Sequence, residues 1–253
     1  MNPIEYARMY EAEDRHWWYV GLHRLIMATV QRESQRLKRP LKIFDAGCGT
    51  GRLCQILTAH GHSVSGCDAS DEALRFCRLR GLSGIYQADL NTVELEPEAF
   101  DVVTSADVLY HTGISDDVAV MRRLRSGLKP GGMLILNLVA HEFLRSTHDI
   151  AVHSRERYTR AMLGERLKNA GFEIQSATYR VSILFPLIIA YRLLARFAAC
   201  RDVDPGQVAS DVSVPHPLIN ALLLKIIVLE NVILGRTALP FGSSVFMTAR
   251  KPY

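Results

Sequence analysis

Apolar positions along this chain fall into two rhythms. From Leu41 to Val181, short apolar runs alternate with stretches in which apolar residues return every three or four positions, the period of a helix with one buried face. Leu41–Ala46, Ser63–Cys67, Ile85–Ala88, Phe100–Ser105, Met133–Val139 and Phe172–Val181 read as strands. Arg52–His60, Asp71–Arg80, Asp116–Ser126 and Tyr158–Ala170 read as helices, with Ser70 placed to cap the second and Gly171 to stop the last. Phe100–Ser105, with Phe100, Val102 and Val103, reads as a strand covered on both faces. Lys129-Pro130-Gly131-Gly132 reads as a turn before Met133–Val139. Strand and helix alternating at this spacing predict an α/β fold with a parallel sheet and crossover helices over residues 41–181.

The flanks break that rhythm. Residues 1–40 read as a helical leader rich in Tyr, Trp, His and Arg, ending where Pro40 discourages further helix. Residues 182–238 hold two markedly apolar helical segments, Ile183–Ala199 and Leu218–Leu234, on either side of a polar loop from Arg201 to His216. Residues 239–253 carry one more strand, Ser244–Ala249, so the apolar helices read as an insertion before the last strand of the core.

Composition narrows the class. With 253 residues, 48% hydrophobic and 22% charged, the chain suits one large globular domain with an insertion. The net charge of +4 comes from scattered residues without a dense Lys/Arg stripe, so no nucleic-acid partner is expected. The five cysteines are odd in number and without C-x-x-C spacing, which argues against a disulfide framework or a structural zinc and for a reducing cytoplasm. Met1–Trp18 carries no apolar signal-peptide core. No uninterrupted apolar run reaches the roughly 18 residues of a spanning helix, since Arg192, Arg196, Lys225 and Glu230 interrupt the two apolar segments.

The chemistry concentrates after the first strand. Ile43-Phe44-Asp45-Ala46 delivers a carboxylate, Gly47-Cys48-Gly49-Thr50-Gly51 turns, and a helix follows. Glycines let the backbone turn sharply and let a ligand approach without a Cβ in the way, and such a turn lies at the carboxyl ends of parallel strands where nucleosides bind. Two phosphate-binding patterns fail on spacing. A G-x-G-x-x-G fingerprint would need glycine where Arg52 or Cys54 stands, and no Gly-Lys-Ser/Thr follows for a P-loop.

The ordered set of motifs resembles the class I S-adenosylmethionine-dependent methyltransferases. Besides Asp45, Gly47, Gly49 and Gly51, it includes Asp68 at the end of the second strand, Asp89-Leu90 at the end of the third, Phe100-Asp101-Val102-Val103 in the fourth, Asp107-Val108-Leu109-Tyr110-His111 after it, and Leu128-Lys129-Pro130-Gly131-Gly132 before the fifth. The resemblance implies a doubly wound, mainly parallel seven-stranded Rossmann-like sheet and S-adenosylmethionine as cofactor. It implies Asp68 on both ribose hydroxyls, Asp89 on the adenine amino group and the Leu90 amide on the ring. The leader's Glu13-Asp14-Arg15-His16-Trp17-Trp18-Tyr19-Val20-Gly21 is similar to an N-terminal HWW helix in a bacterial branch of the family. There Trp18 would cover the cofactor and His23 or Arg24 would face its methionine carboxylate; alternatively the tryptophans only dock the leader on the sheet.

The acceptor side is less legible. His111 stands just past the fourth strand, where it would take a proton from a hydroxyl or amine as it is methylated, or simply cap a loop. His148, beside Asp149 in a segment that also holds His141, His153, Arg155 and Arg157, is a second catalytic or acceptor-binding candidate, or half of a solvated loop pair. That segment lacks compact metal-ligand spacing, so no metal is expected. The expected activity is methyl transfer to a small-molecule, glycan or lipid-linked acceptor in the cytoplasm. The apolar insertion would serve as a lid, a homodimer interface or a peripheral membrane surface. The rival reading is a non-catalytic S-adenosylmethionine-binding or membrane-peripheral scaffold.

Overall fold

The strand–helix rhythm is realised in the computed structural model of the chain, which describes residues 3–198 and 214–253, the side chains of residues 3, 147, 148 and 193–198 excepted. Strands β1 (Lys42–Ala46), β2 (Ser63–Asp68), β3 (Ile85–Gln87), β4 (Phe100–Ala106), β5 (Leu128–Val139), β6 (Glu173–Arg180) and β7 (Ser244–Arg250) form one sheet in the order β3-β2-β1-β4-β5-β7-β6. All neighbours are parallel except β7, which runs antiparallel between β5 and β6. The strand order reverses between β1 and β4, and the crevice outside their carboxyl ends is where ligands of such sheets bind.

The helices are α1 (Pro3–Ala12), α2 (Trp17–Leu37), α3 (Arg52–Ala59), α4 (Asp71–Leu79), α5 (Asp117–Gly127), α6 (Thr147–Ala151), α7 (Arg160–Asn169), α8 (Phe185–Ala198) and α9 (Pro217–Leu234). Helix α2 buries Leu22, Leu25, Ile26, Thr29 and Val30, a stripe at helical spacing, against Ile43, Val102, Ile135 and Phe246 on one face of the sheet. The other face packs Val103, Leu134 and Leu136 against Val120, Met121 and Leu124 of α5 and Leu163 and Leu167 of α7. The sheet is thus covered on both sides, as the doubly wound reading requires.

Several details depart from the pattern read along the chain. The leader is two helices: α1 ends at Ala12, and His16 restarts the chain as the N-cap of α2, its Nδ1 accepting from the Trp18 amide at 3.2 Å. The Pro-Gly-Gly turn lies inside β5, looping out between the pairs Phe100↔Leu128 and Val102↔Met133. Tyr158 is not helical. It is a fully buried residue whose hydroxyl donates to Asp117 at 2.6 Å, and α7 begins after it, capped by Thr159. The loop from Arg201 to His216 lies mostly outside the described residues.

The apolar insertion is tied to the body by its own polar residues. Glu230 breaks the apolar run of α9 in the sequence, yet its side chain is wholly buried. Its carboxylate accepts from the backbone amides of Val181 (2.6 Å), Ser182 (2.7 Å) and Ile183 (2.9 Å), at the turn from β6 into α8. Asn220 of α9 accepts from the Trp17 amide and donates to the Arg15 carbonyl, and Asn231 donates to the Gly21 carbonyl. The helices approach so closely at Gly21 that a Cβ there would meet Ile227 at 2.4 Å. The outward face of α9 keeps Leu218, Ile219, Leu222, Leu229 and Val232 exposed, and α8 adds Leu187 and Tyr191.

Replacing Glu230 with leucine would leave three amides without their acceptor. Each buried donor so orphaned costs roughly 1–3 kcal/mol, so Glu230→Leu is expected to destabilise the fold by on the order of 3 kcal/mol. The effect should appear as a lower urea midpoint at unchanged slope. A midpoint equal to that of the parent protein would show that the turn holds without the carboxylate.

Candidate active site

The glycine turn after β1 begins with two residues in the left-handed region, Gly47 (φ 78°) and Gly49 (φ 55°). Both are also pressed from outside: a Cβ on Gly47 would meet Val108 at 2.5 Å, and one on Gly49 would meet Met9 at 2.8 Å. The amides of Gly47 and Cys48 donate to the Cys67 carbonyl, which fastens the turn to the end of β2. Gly51 ends the turn as the N-cap of α3 and packs against Leu82 and Cys77. Asp45 supports the turn from below. Its carboxylate accepts from Thr104 Oγ1 at 2.6 Å and from Cys54 Sγ at 3.4 Å, and burial pushes it up to about 6.

Around this turn opens a cavity of about 680 Å³ that brings together most of the residues singled out in the sequence. Asp45, Gly47, Gly49, Asp68, Asp89, Leu90, Trp18 and His111 all contribute to its wall. Asp68 accepts from the Gly49 amide (2.9 Å) and the Ser70 amide (3.0 Å), while the Tyr6 hydroxyl lies 3.4 Å from its Oδ1. Burial pushes the Asp68 carboxyl up, and the two amides hold it back. Asp89 is held by Asn91, whose amide and side chain donate to Oδ1 at 2.9 and 2.7 Å. The carboxylates at the ends of β2 and β3, with the open turn between them, suit a ribose and an adenine, so these residues fit the cofactor that the motifs imply.

The leader supplies the outer wall, a contribution the sequence showed only in outline. Tyr10 of α1 stacks on Phe76 of α4 at 4.6 Å, and Glu13 pairs with Arg80 at 2.7 Å, both side chains buried, while accepting from Thr50 in the glycine turn. Tyr6, Met9 and Glu13 therefore line the cavity. From α2 come Trp17, Trp18, Tyr19 and His23. Trp18 lines the cavity and also packs on Leu184 and Ile227 of the insertion. Burial, with Arg52, Arg180 and Arg80 nearby, lowers His23 to about 3, so its ring is neutral at neutral pH. Arg24 is a correction. It falls on the outer side of α2, exposed and away from the cavity, because Leu22 and Leu25 occupy the inward positions of that turn. Arg52, at the start of α3, and Arg192, on α8, are the cationic residues of the wall.

His111 reaches the cavity with its Nδ1 already accepting from the Gly113 amide at 2.9 Å. The neutral ring therefore carries its proton on Nε2, and burial lowers the group to about 4. Its ring stacks on His153 at 5.6 Å. The side chain of His148 lies outside the described residues; its backbone is in α6. Asp149 is no solvated loop residue. It is buried and receives a two-pronged pair from Arg157, at 2.8 and 2.9 Å. Arg155 donates to the Ile114 carbonyl and to Glu156, so the basic residues of this segment are spent on the fold.

Comparison with known proteins agrees with this geometry. The methyltransferase domain family matches residues 44–136. A ubiquinone biosynthesis O-methyltransferase of Thiobacillus denitrificans is 30% identical over 226 residues, 77% of this chain and 93% of that protein. The protein of the same name from Idiomarina loihiensis is 28% identical over 184 residues, 62% of this chain and 74% of its own length. Among solved structures, an S-adenosylmethionine-dependent methyltransferase from Mesorhizobium loti shares the fold with a TM-score of 0.54 at 20% identity, covering 83% of this chain and 91% of that one. The chain belongs to the class I S-adenosylmethionine-dependent methyltransferases.

Proposed function

We propose that this methyltransferase methylates a hydroxyl group on an apolar acceptor that it meets at a membrane surface. The observation that carries the reading is that the insertion both lines the cavity and presents apolar surface: α8 places Arg192 in the cavity wall and exposes Leu187 and Tyr191, and α9 exposes Leu218, Ile219, Leu222, Leu229 and Val232. Leu22, Val108, Ile114, Val139 and Val152 give the cavity an apolar lining that suits such an acceptor. The relatives named for O-methylation in ubiquinone biosynthesis favour oxygen as the nucleophile.

Helix α9 is long and apolar enough to cross a membrane by length and composition. Its hydrogen bonds through Asn220, Glu230 and Asn231 join it to the folded body along its length. A helix so tied would lie in the membrane interface rather than cross it. Asp68 would take both ribose hydroxyls of the cofactor, Asp89 and Leu90 the adenine, the Gly47–Gly51 turn the part nearest the sulfur, and Trp18 would close over it. A binding-only scaffold is not favoured, since the relatives are named as enzymes and the cavity leaves room beside the nucleoside residues.

Two measurements test the two halves. Calorimetry of Asp68→Ala is expected to show S-adenosylmethionine and S-adenosylhomocysteine weakened alike, by roughly 100-fold, the worth of a pair of charge-assisted hydrogen bonds. Unchanged affinity would mean that the ribose lies elsewhere. For the acceptor, the protein is expected to sediment with phosphatidylglycerol vesicles, and Leu222→Asp with Leu229→Asp to lower that partition at least tenfold. A cell extract given methyl-deuterated cofactor should carry label in its lipid fraction. Protein that stays in the supernatant, with label only in water-soluble products, would leave α8 and α9 as a lid or subunit interface.

A further inference from the structure

Past the end of β4, the chain turns into the cavity at Asp107, whose φ of 60° puts a residue with a side chain in the left-handed region. That conformation costs roughly 1–2 kcal/mol and persists where the surroundings impose it. Here Asn137, beside it at the end of β5, imposes it twice: the Asp107 amide donates to the Asn137 carbonyl at 2.7 Å, and Asn137 Nδ2 donates to Asp107 Oδ2 at 2.9 Å. The other carboxylate oxygen, Oδ1, is enclosed and has no hydrogen-bond partner among the described residues. Arg180, at the end of β6, is fully buried with Nε and Nη1 likewise unpartnered; its Nη2 donates to the Trp18 carbonyl and its guanidinium lies over the Trp18 ring. A buried acceptor left without a partner is costly unless something else completes it, and Asp107 contributes to the cavity wall.

We infer that Asp107 is the group that takes the proton from the acceptor hydroxyl during methyl transfer, with Asn137 holding the carboxylate in place. The other ionisable groups of the wall are committed. Glu13 is bound by Arg80 and Thr50, Asp45 by Thr104 and Cys54, and Asp68 by two amides. His111 presents an N–H and not a lone pair at Nε2, His23 is a weak base, and burial raises the Tyr19 and Tyr110 hydroxyls far from ionisation. The groups that face Asp107 are Arg180 from β6, Tyr19 from α2, Tyr110 from its own loop and Asn137 from β5. Burial pushes Asp107 up to about 7, against the opposing pull of Asn137 and Arg180, so it can both lose and regain a proton near neutral pH.

The step balances without a further reactant. The acceptor oxygen forms its bond to the methyl carbon, the carbon–sulfur bond breaks with its electron pair going to sulfur, and the hydroxyl proton passes to Asp107. Before transfer the site holds a sulfonium and a carboxylate; afterwards it holds a neutral thioether and a carboxylic acid. Charge is cancelled inside a buried site, where opposite charges are worth most to each other. At pH 7 Asp107 should therefore be ionised beside the charged cofactor and about half protonated beside the neutral product, which leaves it as burial sets it.

This inference rests on the O-methylation reading, but its first test needs no acceptor. Calorimetry at pH 7 in phosphate and in Tris counts protons exchanged on binding. S-adenosylmethionine is expected to release about half a proton more than S-adenosylhomocysteine, as a group with a pKa near ambient pH should. Asp107→Asn should abolish the difference while binding S-adenosylhomocysteine within threefold of the parent. Equal proton counts for the two ligands on the parent protein would overturn the assignment, whatever becomes of the variant. The second test is single-turnover transfer to an alkylated catechol in detergent micelles. The parent rate should rise about tenfold per pH unit at acid pH and level off before neutrality, because the bound sulfonium favours the ionised Asp107, and Asp107→Asn should lower it at least 100-fold and flatten the profile. Transfer by Asp107→Asn at the parent rate and with the parent pH profile removes Asp107 from the chemistry and leaves O-methylation standing. The proton difference without transfer to the catechol leaves Asp107 standing and removes the proposed acceptor.

Discussion

The apolar insertion of this enzyme hangs on one buried carboxylate. Glu230 gathers the amides of Val181, Ser182 and Ile183 and so fixes the direction in which the chain leaves β6 and enters α8. A carboxylate among three amides is a strong local fastening, because a charged acceptor roughly doubles the strength of each bond and the surroundings exclude water. With the turn fixed, α9 settles against α2 at the Gly21–Ile227 contact, and Trp17 and Trp18 are pinned between insertion and sheet. Arg180, one residue before the turn, is buried beneath Trp18 as a consequence.

The opposite side of the cavity uses another economy of the same kind. Asp68 braces the glycine turn through the Gly49 amide and begins the next turn through Ser70, so one side chain sets the geometry of two loops as well as facing the cavity. Asp101 does the equivalent at the far end of the sheet, where Arg39, Lys129 and the Lys42 amide converge on it; their hydrogen bonds outweigh burial and hold its carboxyl well below the usual range. At the amino ends Asp101 only fastens elements, while at the carboxyl end of β2 Asp68 fastens two loops and lines the cavity as well.

The sequence made the nucleoside half legible because its requirements are local. Gly47 and Gly49 must adopt left-handed conformations, and Asp68 and Asp89 must end strands, so the positions declare themselves in one dimension. The strands and crossover helices were legible for the same reason, their burial pattern being periodic. What stayed hidden depends on partners far along the chain. Glu230 read as a charge interrupting an apolar helix, and only its distance to the β6–α8 turn shows that it faces inward, which leaves the outer face of α9 more apolar than the composition suggested. The resemblance of the leader left His23 and Arg24 as alternatives facing the cavity, and one step along a helix, which turns a side chain by about 100 degrees, separates them. Asp149 read as solvated because its partner, Arg157, lies beyond an intervening turn. Tyr6 and Met9 were not singled out, since the resemblance of the leader rested on the residues from Glu13 to Gly21 and not on α1.

That placement of α1 bears on time as well as on space. The Tyr6 hydroxyl reaches Asp68, Met9 abuts Gly49, and Tyr10 is stacked on Phe76 under the Arg80 guanidinium. A nucleoside bound in this cavity would have α1 as part of its wall, so movement of the leader would reshape the wall without touching the glycine turn. Affinity and exchange rate would then answer to different residues, and turnover could be tuned at α1 without disturbing the turn between Gly47 and Gly51.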